Sequence, residues 1–262
     1  MSKIYVQPLI HETFSDFVDF ADKNNYNMEI ATFSYANVYE ADWPKILTEQ
    51  QKLLLVFKGK LSFHGVFQDI VVHSSDKKIA EASKERVFES LEVARKLNVT
   101  QVVFHGNFNP LVRDNYFRKN WVERNTVFWR AALEKYAGII LLENTWEPTP
   151  EMFKELLDEV NSPRLMACLD IGHINVYSKL TFREWAGILG DKISYVHISD
   201  NFGEKDQHLE VSQGKINWQE FTRVVEEYQI SPEIVLEQVT LEKTKQSLFY
   251  LEKNQIYPFN QI

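Results

Sequence analysis

The chain has one cysteine, Cys168, among its 262 residues, so no intramolecular disulfide can form. A lone thiol fits a reducing compartment. A chain of this length buries a substantial core without cross-links. No apolar run is long enough to span a bilayer, and the opening MSKIYVQPLI lacks the apolar stretch of a secretory signal. The expectation is a cytoplasmic protein with no membrane partner. Positive charge is also short: the net charge is −8 and the pI about 5.5, which argues against a broad nucleic-acid footprint. No linker, low-complexity tract or shift in composition marks a second domain, so residues 1–262 read as one domain.

Short apolar runs alternate with longer amphipathic segments along the whole chain. Strands are predicted at 3–10, 27–33, 61–65, 101–106, 138–144, 166–173, 193–200 and 233–239. Helices are predicted at 14–25, 43–57, 76–97, 115–137, 149–160, 181–189, 216–228 and 241–253. In the third of these helices Ile79, Val87, Leu91 and Ala94 are expected on one buried side. The strands are short and nearly all apolar, as when both faces are covered. Eight strands alternating with eight helices, in a chain near the roughly 250 residues usual for the fold, predict an α/β protein built as a single (β/α)8 TIM barrel. An open doubly wound sheet would carry a Gly-rich phosphate loop after its first strand, and PLIHETF is not one.

In such a barrel the strand ends nearest the following helix form the active face. Those ends carry His64, His105, Glu143, Asp170 with His173, His197 and Glu237, and the loop after the seventh strand adds Asp206 and His208. All are imidazoles or carboxylates, the ligand types that suit zinc, manganese and iron. Taken singly, each has an ordinary reading: a hydrogen-bonded histidine, a paired glutamate, a helix cap. Together they include five of the seven histidines, at one end of the barrel. Burying carboxylates side by side is costly, and bound cations remove that cost. The expectation is a site for one to three divalent ions, zinc foremost, with manganese or iron as alternatives. His11 and His73 read as loop residues, solvated or at the rim, and Asp200 as structural.

The stretches SFHGVF, VVFHGNFNP, LLENTW, CLDIGH, VHISDNFGEKDQHLEVSQGKINW and VLEQ, in this order across residues 61–240, resemble the xylose-isomerase-like barrel superfamily. That superfamily holds sugar isomerases and epimerases and also endonuclease IV, an AP endonuclease of family 2. The resemblance implies two ligand schemes. A single-metal epimerase would use Glu143, Asp170, His197 and Glu237. A three-zinc centre like that of endonuclease IV would use His64, His105, Glu143, Asp170, His173, His197, Asp206, His208 and Glu237, all of which are present.

The first scheme implies an isomerase or epimerase of a sugar or sugar phosphate. The metal would hold substrate oxygens and stabilise an enediolate, while Glu143 and Glu237 move the proton. His173, Trp146 and Lys205 would contact substrate. The second implies a zinc phosphodiesterase acting on abasic DNA or another phosphate ester. The ligand count favours the second scheme, and the absence of Lys or Arg in SYANVYEADWP (34–44), where a DNA enzyme needs phosphate contacts, favours the first. The sugar reading is ranked ahead, with nucleic acid a partner only under the alternative. An inert, metal-stabilised binding module stands third, and intact Glu143 and Glu237 argue against it. Self-association is compatible with the sequence.

Overall fold

A computed structural model describes residues 2–8 and 13–261. His11 lies outside the described residues. The eight strands are β1 (Ile4–Val6), β2 (Asn27–Ile30), β3 (Leu61–His64), β4 (Gln101–His105), β5 (Ile139–Glu143), β6 (Leu165–Asp170), β7 (Ile193–Ile198) and β8 (Glu233–Leu236). Each pairs in parallel with its sequence neighbour, and β8 pairs with β1, which closes the barrel. The expected TIM barrel is therefore observed, with each strand shorter than the apolar run that announced it.

Ten α-helices accompany the strands among the described residues: α1 (Phe14–Asn24), α2 (Asn37–Glu40), α3 (Trp43–Leu54), α4 (Lys77–Lys96), α5 (Asn115–Lys135), α6 (Glu151–Val160), α7 (Ile171–Tyr177), α8 (Phe182–Leu189), α9 (Trp218–Glu227) and α10 (Leu241–Lys253). Two of these, α2 and α7, are additions to the predicted alternation. Strand six was expected to run to residue 173 but ends at Asp170, whose side chain accepts from the His173 backbone N–H at 2.6 Å and so caps α7. In α4 the buried face is Ala80, Ser83, Val87, Leu91 and Ala94, while Ile79 is 50% exposed. Ile79 sits one position, about 100° of helix turn, from the true stripe.

Side chains alternate across each strand, and the alternation sorts the core in two. Outward residues such as Ile4, Val6, Ile30, Phe63, Phe104, Leu142, Leu169, Val196 and Leu236 pack under the helices. Inward residues Tyr5, Val103, Leu141, Cys168, Tyr195 and Val235 form a separate apolar plug inside the barrel. Two residues further along each of those strands, the same inward parity reaches Gln7, His105, Glu143, Asp170, His197 and Glu237. The plug is thus the floor on which the polar ring stands.

His73 is buried against Phe117 and Trp121 of α5, not solvated as its loop position suggested. Burial, helped by Arg124, pushes its imidazole down to about 4. The unfolded chain then binds the extra proton first, so His73 favours folding above about pH 6.5 and opposes it progressively as pH falls towards 4. The expected slope amounts to about 3 kcal/mol over that window. Urea unfolding of metal-free protein across pH 7 to 4 should show it in the wild type and lose most of it in His73→Gln.

Candidate metal centre

All nine residues singled out as ligands meet at the carboxyl ends of the strands in one connected network. Glu143 is the hub. Its Oε2 lies 3.3 Å from His64 Nε2, 3.2 Å from His105 Nε2 and 3.5 Å from His197 Nδ1, and its Oε1 lies 3.4 Å from His173 Nδ1. His197 Nδ1 is also 3.2 Å from Glu237 Oε1. His173 Nε2 is 3.4 Å from Asp206 Oδ2, which His208 Nε2 approaches to 2.9 Å. Asp170 Oδ1 is 3.9 Å from His173 Nδ1.

Three imidazoles have their protons placed by carbonyl oxygens, which only accept. His64 Nδ1 donates to Gly65 O at 2.9 Å, His173 Nδ1 to Asn144 O at 2.8 Å and His208 Nδ1 to Glu237 O at 3.2 Å. Each ring is thereby oriented with Nε2 toward the cluster, the arrangement that prepares a histidine for a cation.

Several buried atoms of the cluster have no hydrogen-bond partner: Glu143 Oε2, Asp170 Oδ2, Asp206 Oδ1, His105 Nδ1 and both ring nitrogens of His197. Such orphans are costly in a closed interior. Asp170 shows the division of labour, since Oδ1 caps α7 while Oδ2 is left unpaired. Donor atoms of four sets lie within 4.8 Å of one another: His64, His105 and Glu143; His64, His197 and Glu237; Glu143, Asp170 and His173; and Glu143, Cys168 and His197. These donors fit a divalent cation, and the sets share Glu143, His64 and His197.

Protons take the cation's place in the electrostatics of the network. Burial works against charge on Glu143, but His105 and His197 hold its carboxyl well below the usual range. Glu237 is likewise brought to about 2 by His197 and His208 in spite of burial. Burial opposes charge on His173 and His197 too, and the carboxylates around each hold both rings well above the ordinary histidine range. Asp170 goes the other way: burial, with Glu237, Glu143 and Asp206 nearby, pushes it up to about 7. Cation binding would displace imidazolium protons.

Sequence reading passed over two members of the ring. Gln7, beyond β1, donates to Glu29 Oε1 at 2.6 Å and to Glu237 Oε1 at 2.9 Å. Glu29, on β2, is fully buried, with Oε1 3.1 Å from His197 Nε2. The available signal was a carboxylate inside the apolar run NMEIATF. Trp146 and Lys205, expected to touch substrate, are exposed on the loops after β5 and β7, Trp146 to 44%. Neither belongs to the network.

Asp200 organises the loop that delivers Asp206 and His208. Its backbone exchanges two hydrogen bonds with Leu209, at 2.9 and 2.8 Å, which folds the loop back over the mouth. Its buried carboxylate accepts from the N–H groups of Asn201, Ser212 and Ile216 and from Trp218 Nε1, at 2.9 to 3.2 Å. Gly214 packs so closely that a Cβ there would lie 2.2 Å from Asp200 Oδ1. His208 itself has φ 45°, a backbone region sparse for residues with a side chain, which the clamped loop sustains.

A parallel eight-stranded barrel with a histidine–carboxylate centre at the carboxyl ends of its strands defines the class. The chain belongs to the xylose isomerase-like TIM barrel family, whose model matches residues 12–254. Among curated relatives, uncharacterized protein MJ1311 of Methanocaldococcus jannaschii is 27% identical over 195 residues, covering 70% of this chain and 66% of the relative. Uncharacterized protein MJ1614 of the same organism is 29% identical over 171 residues, 63% of this chain and 65% of the relative. The matched part thus spans about two thirds of the length of these relatives. Among solved structures, a D-tagatose 3-epimerase-like protein superposes with TM-score 0.81 at 23% identity, over 100% of this chain and 99% of that one. The TTHB071 protein of Thermus thermophilus, soaked with ZnCl2, gives 0.78 at 20% identity, covering 96% and 97%. D-allulose 3-epimerase of Methylomonas sp., in complex with D-allulose, gives 0.72 at 17%, covering 98% and 90%. At these identities the likeness is one of fold.

Asp200→Ala leaves four donors unpaired, two of them buried and two half-buried, and should cost roughly 3 kcal/mol or more. Asp200→Asn, which keeps one accepting oxygen, should fall between it and the wild type. The midpoint of urea unfolding measures both, and equal stability of Asp200→Ala and wild type would remove the clamp.

Proposed function

We propose that the protein is a metal-dependent isomerase or epimerase of a sugar or sugar phosphate. The observation that carries this reading is the convergence of Glu143 and Glu237 on one ring nitrogen, His197 Nδ1, at 3.5 and 3.2 Å. Glu143, Asp170, His197 and Glu237 would hold the cation, zinc by ligand type, with manganese or iron accepted by the same donors. A bound divalent cation supplies Lewis-acid polarisation of the substrate oxygens and charge balance for an enediolate.

The proton chemistry belongs to the two glutamates. Their neighbours hold both as carboxylates, so either can start as a base. The one that takes the carbon-bound proton becomes the acid, and the other side of the substrate faces the second carboxylate. Gln7 Nε2 fixes the orientation of Glu237. His173, whose Nδ1 is held by Asn144 O, turns Nε2 toward the loop side of the site and would orient a substrate hydroxyl. Burial of Glu143 and Glu237 would exclude bulk water from the proton that is carried.

The rim supports a small polar substrate over a polyanion. The connections after β1, β2, β3, β5 and β8 contain no Lys or Arg at all, whereas nucleic-acid enzymes hold phosphates with such groups. The similarity of fold to sugar epimerases points the same way. A second reading, a multinuclear zinc phosphodiesterase, is favoured by one observation: His64, His105, Asp206 and His208 complete further donor sets that a single-metal epimerase does not use.

Protein purified without chelator should contain close to one divalent ion per chain and should exchange solvent deuterium into the reacting carbon of a ketose or ketose phosphate. Glu143→Gln and Glu237→Gln should each lower kcat by roughly a hundred- to ten-thousand-fold while the fold is kept. Two or three ions per chain, with cleavage of an abasic-site duplex abolished in Glu143→Gln, would overturn the ranking in favour of the phosphodiesterase. Metal-free preparations that refuse added zinc, manganese and iron would remove both.

A further inference from the structure

Glu29 is a buried carboxyl group that the proposed reaction leaves unused. It is fully buried on β2 and belongs to none of the candidate donor sets. No lysine or arginine pairs with it among the described residues. Its surroundings consist of donors: Gln7 Nε2 at 2.6 Å on Oε1, and Ser62 Oγ at 3.3 Å on Oε2, with Ser62 in turn 2.6 Å from the Tyr195 hydroxyl. Among the described residues, the one other polar group on Oε1 is His197 Nε2, 3.1 Å away, on the ring edge opposite Glu143 and Glu237. The contact is in ion-pair range but outside the aligned geometry of a hydrogen bond.

His197 differs from three of the other four histidines of the ring in one respect, and His105, whose Nδ1 also lacks a partner, has no second carboxylate behind it among the described residues. His64, His173 and His208 each rest on a backbone carbonyl. His197 has no carbonyl partner for either nitrogen among the described residues. Its proton must therefore be placed by a side chain. A proton on Nδ1 would point at the space between Glu143 and Glu237 and block it. A proton on Nε2 lies on the ring edge that Glu29 Oε1 approaches to 3.1 Å and leaves the Nδ1 lone pair for a cation.

We propose that Glu29, locked in place by Gln7 and Ser62, is the positioning carboxylate of His197: it holds the ring proton on Nε2 so that Nδ1 faces the Glu143–Glu237 gap. Gln7 makes the arrangement reciprocal, because the same amide nitrogen that holds Glu29 also holds Glu237 at 2.9 Å. One side chain thereby sets the spacing between a proton-transfer carboxylate and the support of its neighbouring ligand. The inference rests on the metal-dependent reading of the same site and assigns strands β1 and β2 a part in it.

The test uses the full chain, loaded with zinc and labelled with 15N in histidine. In the wild type, long-range 15N–1H correlation should find His197 Nε2 protonated and Nδ1 without a proton. Glu29→Gln keeps an accepting oxygen, so the tautomer should persist, with the Nε2 proton shifted upfield by loss of the charge and zinc held within about tenfold of the wild type. Glu29→Leu should weaken zinc roughly ten- to a hundredfold, with the ring signals of His64 and His105 unmoved. A proton on Nδ1 in the loaded wild type, an Nε2 proton signal unchanged in Glu29→Gln, or wild-type zinc affinity in Glu29→Leu would each overturn the proposal. Where Glu29→Leu does not fold, the wild-type and Glu29→Gln spectra decide. A protein with the expected tautomer that turns over no sugar refutes the isomerase reading alone. Sugar turnover with Nδ1 protonated refutes the positioning role alone, and failure to bind zinc, manganese and iron alike refutes both.

Discussion

The mouth of the barrel depends on the balance of charge around Glu143. One carboxylate oxygen stands within 3.5 Å of three imidazoles, sealed from solvent and with no aligned hydrogen bond. In a low-dielectric interior that arrangement is tolerable only with positive charge beside it. Against burial, their carboxylate neighbours hold His64 and His197 above the ordinary histidine range, whereas burial lowers His105, and a cation would supply the remaining positive charge. The surroundings are organised around that requirement. Backbone carbonyls of Gly65, Asn144 and Glu237 fix three rings, Asp170 divides its oxygens between a helix cap and the cluster, and Glu29 balances the far edge of His197.

The barrel and nine of the ring residues were legible in the sequence because two periodicities coincide. Apolar runs of strand length mark each β-segment, and the strands of a barrel deliver their last inward residue to one face. Glu143 sits at the end of β5, predicted at 138–144 and observed at Ile139–Glu143, so its place in the ring was readable from position alone. Glu29 was hidden by a boundary error. The run NMEIATF reads as a strand to Phe33, but pairing stops at Ile30, so a residue near the strand end looked like one in its middle. Gln7 was hidden by type, since an amide is no cation ligand. His73 was misread because its burial comes from Phe117 and Trp121, distant in sequence. Helix α7 was hidden because Asp170 ends a strand and caps a helix in one residue.

Fold and donor set leave two reactions open for a physical reason. Carbon–proton transfer and phosphate displacement both need a buried cation, a carboxylate at the reacting atom and exclusion of water. The ring offers donors that could hold a cation, carboxylates beside them and burial, all without reference to the substrate. Discrimination must then come from groups outside it, and the strand-to-helix loops are where a barrel places them.

The exposure of the ring narrows where those groups act. Seven of the nine residues are all but inaccessible, while Asp206 and His208 keep 20% and 26% of their side chains in contact with solvent. The solvent-facing side of the centre is therefore the loop after β7. That loop has no strand to hold it, and its geometry comes from Asp200, whose carboxylate gathers three backbone N–H groups and an indole N–H from as far as Trp218. The strained backbone of His208 is sustained by the same clamp. The deep part of the centre is thus set by strand parity, which changes little without breaking the barrel, and the solvent-facing side by one buried carboxylate in a loop. Within that loop Asn201, Asp206 and His208 are tied to Gly172, His173 and Glu237, while Phe202, Glu204 and Lys205 are exposed, so alteration of these last three side chains leaves the donors and their ties in place.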